Sequence, residues 1–309
     1  MRHMHSHSHG EPGHSHAPKD FGKAFAIGVA LNTAYVVAEV VYGFAAHSVA
    51  LIADAGHNLG DVLGLLMAWA AAVAVRAKPT ARHTYGLRKT SVLAALVNAV
   101  VLLGSTGAIA YEAIRRLAEP GHVHGTTIIW VALAGVVVNG GTALMFMSGR
   151  EHDLNIRGAY LHMAADAAIV LGVAISGGII LATGWTELDP IVSLLICVAI
   201  VWGTWSLLRE STNMALDAVP NNIQLEEVRG YLQSVEGVTE VHDLHVWSMS
   251  TTEAALTAHL VMPTRRLTDA ELSDVNAGLH DKFGIEHTTL QVESGDPDHP
   301  CEQAPDDQL

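Results

Sequence analysis

The sequence predicts an α-helical membrane protein of six transmembrane helices, followed by a small α+β domain. Three observations carry that reading. Of 309 residues, 50% are hydrophobic and only 16% charged, where soluble domains carry about 25% charged residues. Six apolar segments follow one another, each near the ~20 residues that cross a bilayer. Charge then shifts abruptly. Residues 1–209 hold 13 Lys/Arg against 12 Asp/Glu, and residues 210–309 hold 4 against 19. That step from a net of +1 to −15 marks a domain boundary.

The division runs as follows. Residues 1–20 are a polar, His-rich tail (His3, His5, His7, His9, His14 and His16) that lacks the apolar content for a core. With no apolar stretch before Phe21, it does not read as a secretory signal. Residues 21–209 are the membrane domain, with spans expected near 22–45, 49–75, 90–115, 126–148, 157–182 and 188–208. Residues 210–293 form the α+β domain, and residues 294–309 an acidic tail expected to be disordered. Two cysteines, Cys197 and Cys301, make no disulfide framework.

Orientation follows from the positive charges near the membrane ends. With both termini cytoplasmic, the inner links hold Arg2, Lys19, Lys23, Arg76, Lys78, Arg82, Arg88, Lys89, Arg150, Arg157 and Arg209. The outer links hold only Arg115 and Arg116.

Spans two and five carry the unusual residues. The first reads Asp54-Ala-Gly-His57-Asn-Leu-Gly-Asp61, the second Leu161-His162-Met-Ala-Ala-Asp166. Residues four apart share a helix face, so each motif presents an imidazole beside a carboxylate. Ionisable groups in hydrocarbon cost roughly 2.5 kcal/mol or more each, and they mark ion paths or paired sites. The two spans run in opposite directions, which sets both motifs near mid-depth. Two imidazoles and two carboxylates suit zinc, and imidazole disfavours Mg, Ca and Mn. Such ligands bind metal only when deprotonated, so metal and protons compete. Gly56, Gly60 and Gly64 repeat at spacing four, a pattern that lets a partner helix approach. Glu39 and Glu112 are expected to be solvated near the outer interface, and Asp54 to line the outer mouth or cap its helix.

Several classes drop out. No Gly-x-x-x-x-Gly-Lys-Ser/Thr occurs, which argues against nucleotide drive. No basic patch suggests nucleic acid. A catalytic zinc would need an open ligand position and a spare base; the four-residue set leaves neither.

After residue 209 the pattern gives a helix over 221–235, strands over 238–249 and 254–262, a helix over 268–283 and a strand over 288–292. The order is αββαβ. Thr268-Asp-Ala-Glu271 is a capping box. His245 alternates to the strand face of Val241 and Trp247 and is expected to be buried.

These features together resemble the cation diffusion facilitator family, particularly its zinc-exporting members. The resemblance rests on six spans, His-x-x-x-Asp on spans two and five, Arg82-His-Thr-Tyr-Gly86, and His242-Asp-Leu-His-Val-Trp247 opening the small domain. It covers residues 21 to about 293. It implies a transport site at His57, Asp61, His162 and Asp166, exchange of Zn2+ for protons, a homodimer, and a ferredoxin-like cytoplasmic domain. It also implies regulatory metal at His242, His259, His287 and Glu293. Where some members have a Cys-x-x-Cys tail, this chain offers Cys301 and His299. A setting in the cytoplasmic membrane of a bacterium follows from the same resemblance.

Overall fold

The computed structural model describes residues 21–119, 121–147 and 154–304. The His-rich tail, Arg150 and the last five residues lie outside the described residues. Six long helices come first: α1 (Phe21–Ala45), α2 (Val49–Val75), α3 (Thr90–Ala118), α4 (Gly125–Phe146), α5 (Leu154–Thr183) and α6 (Leu188–Ala215). Among the described residues, four of them, α3 to α6, are long and apolar enough to cross a membrane. α6 continues six residues beyond Arg209, where the charge balance changes, because no helix breaker intervenes before the turn at Leu216 and Asp217.

The helices alternate in direction, and their links gather at two ends. At one, the far end, His124 N–H donates to the Ala46 carbonyl (3.1 Å), and Asp189 accepts from Val49 N–H (2.7 Å). At the other, the domain end, the link between α2 and α3 meets the small domain. Arg88 pairs with Glu253 (2.6 Å), Lys89 bonds Asp217 and the Ser248 carbonyl, and Thr251 N–H donates to Ser91 Oγ (3.1 Å).

The glycine repeat on α2 has a definite partner, and it is α3. A methyl group at Gly60 would lie 2.6 Å from Leu102 Cδ1, and one at Gly64 2.8 Å from Asn98 Nδ2. The small residues seat α3 beside the His/Asp face and do not draw α5 in. α5 packs chiefly along α4, and meets α2 only narrowly. The bundle core gathers Tyr35, Leu51, Ile128, Val170, Val173 and Ile196.

The small domain runs α7 (Leu225–Gln233), β1 (Glu240–Ser248), β2 (Ala254–Val261), α8 (Asp269–Phe283) and β3 (Ile285–Glu293). Its sheet has the order β1-β2-β3, with β1–β2 antiparallel and β2–β3 parallel. Val228 and Leu232 of α7 and Val275 and Leu279 of α8 fill one core with Val241, Val246, Leu256 and Leu260 of the sheet. Thr268 caps α8 and Glu271 closes the box; Gly284 ends it at φ 68, a left-handed turn that needs no Cβ. Glu271 takes hydrogen bonds from the Thr268 backbone and from Arg265, and its carboxyl is held down to about 2.

Candidate metal centres

α2 and α5 bring their four predicted ligands together. His162 Nε2 stands 3.2 Å from Asp61 Oδ2 and 3.6 Å from Asp166 Oδ2. His57 Nε2 lies 3.5 Å from Asp166 Oδ1 and 3.8 Å from Asp61 Oδ2. The two rings meet edge to face, 6.1 Å apart. Donor atoms of Asp61, His162 and Asp166 all fall within 4.8 Å of one another; His57 closes the group from the far-end side. Asp61 Oδ2 and Asp166 Oδ2 are buried without a hydrogen-bond partner. Leaving such an oxygen unmet costs about 1–3 kcal/mol or more, so the arrangement calls for a cation between the carboxylates.

Exposure across the cluster is graded. The side chains of Asp61 and His162, one turn nearer the domain end, are 33% and 43% exposed. Those of His57 and Asp166, nearer the far end, are 18% and 3% exposed. The far-end side is closed further by Glu39, 0% exposed, and Asp54, 1% exposed. This corrects the expectation for both. Glu39 is not solvated at an interface: it accepts from Tyr35 Oη (2.7 Å) and Asn58 Nδ2 (3.2 Å). Asp54 is buried against Glu39 and lies beyond the first turn of α2, so it neither lines an open mouth nor caps α2. Hydropathy along one helix cannot reveal that α1 and α2 bury their acidic residues against each other. Glu112 does lie at the surface, between Arg115 and Arg116. Asn32 bridges α1 to α5 through Met163 Sδ (3.4 Å).

A second cluster sits on the sheet. His242 of β1, His259 of β2, Glu293 at the end of β3 and Cys301 beyond it bring one donor atom each within 4.8 Å. Antiparallel register sets His242 opposite His259, and parallel register brings Glu293 beside Val261. Glu293 contacts His259 Nδ1 (2.9 Å) and His242 Nε2 (3.4 Å), and Cys301 Sγ lies 3.5 Å from His259 Nδ1. Both ring nitrogens of His242 are buried with no hydrogen-bond partner. Burial opposes ionisation of Glu293, but Gln291, Cys301 and the two imidazoles outweigh it and hold its carboxyl below the usual range. Burial, reinforced by the Glu293 carboxyl, pushes the Cys301 thiol up. Thiolate, imidazole and carboxylate are the donors zinc takes, so the chemistry of the set fits that ion.

Two of the other predicted ligands stand apart. His287 is exposed and packs edge to face on Tyr85 of the α2–α3 link, 5.4 Å away. Six residues of strand, roughly 20 Å, separate it from Glu293. His299 is exposed and pairs with Asp296 (3.1 Å). Cys301, two residues on, joins the cluster instead. His245 is also not where alternation put it: it is 46% exposed and bonds Asp243 (2.9 Å). The β1–β2 register breaks between His242 and His245, and Asp243 takes φ 49. A bulge of this kind resets which side chains face outward.

Comparison with known proteins shows the family. Residues 25–214 match the family model for a cation efflux transmembrane domain, and residues 220–295 that for the cation efflux protein cytoplasmic domain. The chain belongs to the cation efflux family. Among cation efflux proteins it is 37% identical over 294 residues to the metal cation efflux system protein CzcD of Cupriavidus metallidurans, covering 94% of this chain and 92% of that protein. It matches the zinc transporter ZitB of Escherichia coli at the same identity and coverage. The cadmium, cobalt and zinc/H(+)-K(+) antiporter of Bacillus subtilis is 31% identical over 292 residues, covering 93% of this chain and 94% of that protein. As a cation efflux family member with long apolar helices, the chain is a multi-pass membrane protein.

Proposed function

We propose that this protein exports zinc from the cytoplasm in exchange for protons, through a tetrahedral site of His57, Asp61, His162 and Asp166. One observation carries the reading. Helices from opposite directions bring two imidazoles and two carboxylates within 3.2–3.8 Å, with carboxylate oxygens buried and unpartnered. The zinc transporter and antiporter names of its relatives support it.

In this reading all six long helices span the membrane, with both termini and the small domain in the cytoplasm of a bacterium. The domain end is then the cytoplasmic end, and the graded exposure of the four ligands supports a site open to the cytoplasm. Zinc enters past Asp61 and His162, and its two charges are offset by Asp61 and Asp166. An imidazole holds either the metal or a proton, so protons arriving from outside compete for His57 and His162 and release the ion. Rocking of helices about a fixed mid-depth site completes the cycle.

His242, His259, Glu293 and Cys301 form a second, regulatory zinc site in a ferredoxin-like domain, and the protein acts as a homodimer. His287, against Tyr85, takes a part at the junction of the two domains. Cobalt and cadmium are side substrates.

Zinc flux into proteoliposomes tests the site. Asp61→Ala and Asp166→Ala each abolish flux while the protein remains folded and monodisperse; near-normal flux in either removes the assignment.

A further inference from the structure

The far end of α2 is held by a residue that the transport chemistry does not use. Asp189, in the first turn of α6, is fully buried. Its Oδ1 accepts from Ser48 Oγ, and its Oδ2 accepts from the backbone N–H of Val49 (2.7 Å) and Ala50 (3.4 Å). Ser48 Oγ in turn accepts from Leu51 N–H (3.2 Å). The first three N–H groups of α2 have no partner within the helix. Two of them are met by a carboxylate 140 and 139 residues away in the chain. The side chain also sits where a helix dipole favours negative charge.

Everything around this knot is packed. Ala46, Ser48, Val49, Ala50, Leu51 and Ala53 are all buried. The Ala46 carbonyl is tied to His124, and the Arg116 guanidinium donates to the His47 carbonyl. From Asp61 onward the described side chains of α2, Ala71 apart, are half-exposed or exposed. The far end of α2 is therefore the more enclosed and the more tightly bonded of its two ends. His57 and Asp61 lie about 12 and 18 Å from that end, at 1.5 Å per residue.

We propose that Asp189 is a positioning residue for the transport site. From α6 it caps α2, and it makes the far end of α2 the fixed point about which the helix moves as the site changes access. This rests on the four-residue site proposed above. It assigns Asp189 no contact with the transported ion.

A swap of the pair separates a cap from an ion contact. Asp189→Ser removes the carboxylate. The double variant Ser48→Asp/Asp189→Ser restores the same carboxylate–hydroxyl pair with its partners exchanged, so that α2 carries its own acidic N-cap. Full-length proteins are compared by amide exchange over residues 49–53 and by zinc flux in proteoliposomes. In Asp189→Ser, exchange rises about tenfold, the fold-change of a lost cap. The zinc concentration for half-maximal flux rises and maximal flux falls. The swap returns both readouts to within about twofold of the wild type, a residual typical of Asp against Ser as a cap.

Three results would overturn the inference: exchange unchanged in Asp189→Ser, flux unchanged in it, or a swap that restores exchange but leaves flux impaired. The last would make Asp189 an ion contact. If Asp189→Ser does not fold, the swap alone decides: wild-type flux supports the cap, and lost flux overturns it. Failure of the site assignment reads differently, as zinc flux that survives Asp61→Ala.

Discussion

Asp166 has the most enclosed side chain of the four proposed ligands, 3% exposed, with Oδ2 lacking a hydrogen-bond partner. Removing it leaves His57 and His162 facing one carboxylate, so the set loses a ligand and one of the ion's two charges is no longer offset. His57→Asp acts in another direction. It converts a two-nitrogen, two-oxygen set into one nitrogen and three oxygens, which weakens the preference for zinc over larger or harder ions. Zinc-to-manganese and zinc-to-cadmium flux ratios both fall in that variant; unchanged ratios would show that His57 does not set selectivity. On the sheet, Cys301→Ser replaces the one sulfur donor and lowers zinc affinity of the His242/His259/Glu293 cluster, read by calorimetry on the intact protein. The two His-x-x-x-Asp motifs were legible because four-residue spacing on an apolar helix has one geometric meaning. Glu39, Asp54 and Asp189 were not, since each is buried by a different helix. His245 was misread because a one-residue bulge reverses alternation, and β-propensity does not announce bulges.

At the scale of elements, α2 is held in two ways. Its glycine edge seats α3, and its far end is capped from α6. Gly60→Ala sets a methyl 2.6 Å from Leu102 Cδ1, within a spacing that atoms do not share. Overpacking of this kind costs about 1–3 kcal/mol, so the variant melts earlier in a thermal unfolding series. A Gly60→Ala/Leu102→Ala pair recovers part of the loss if the contact is the cause. In the small domain, Thr268→Ala costs about 1 kcal/mol through the lost cap of α8. The Glu271 partner adds a pH dependence with a fixed sign. Its folded pKa, about 2, lies below the ordinary glutamate value. Its contribution is therefore complete above that ordinary value and is lost as the pH falls through about 2. Amide exchange in the first turn of α8 rises over that window; exchange that stays flat would remove the capping box from the account. Helix positions were readable from hydropathy to within a few residues for most spans. The partner of the glycine edge was not, because small residues at spacing four specify close approach without naming the neighbour.

Across the whole molecule, two candidate metal-ligand clusters sit on one chain, in domains joined by Arg88, Lys89, Tyr85 and Ser91 against Glu253, Asp217, His287 and Thr251. Residues 210–309 carry a net charge of −15, and −10 of it lies within residues 210–293. In the proposed dimer, two such domains repel, and zinc at the proposed His242, His259, Glu293 and Cys301 site would offset that repulsion. Distances between spin labels on the two small domains shorten with zinc and lengthen with chelator; identical distances would exclude this regulation. The division into an apolar bundle and an acidic domain was visible in composition alone. The docking of one on the other was not, because it rests on a few exposed ion pairs that have no sequence signature. The central claim is exchange of zinc for protons at the site between α2 and α5. The most direct test is zinc uptake into proteoliposomes under an imposed pH gradient, with a pH dye sealed inside. Zinc entering with matched proton efflux, both abolished by Asp166→Ala, is the predicted result. Zinc flux that leaves the internal pH unchanged and ignores the gradient would contradict it.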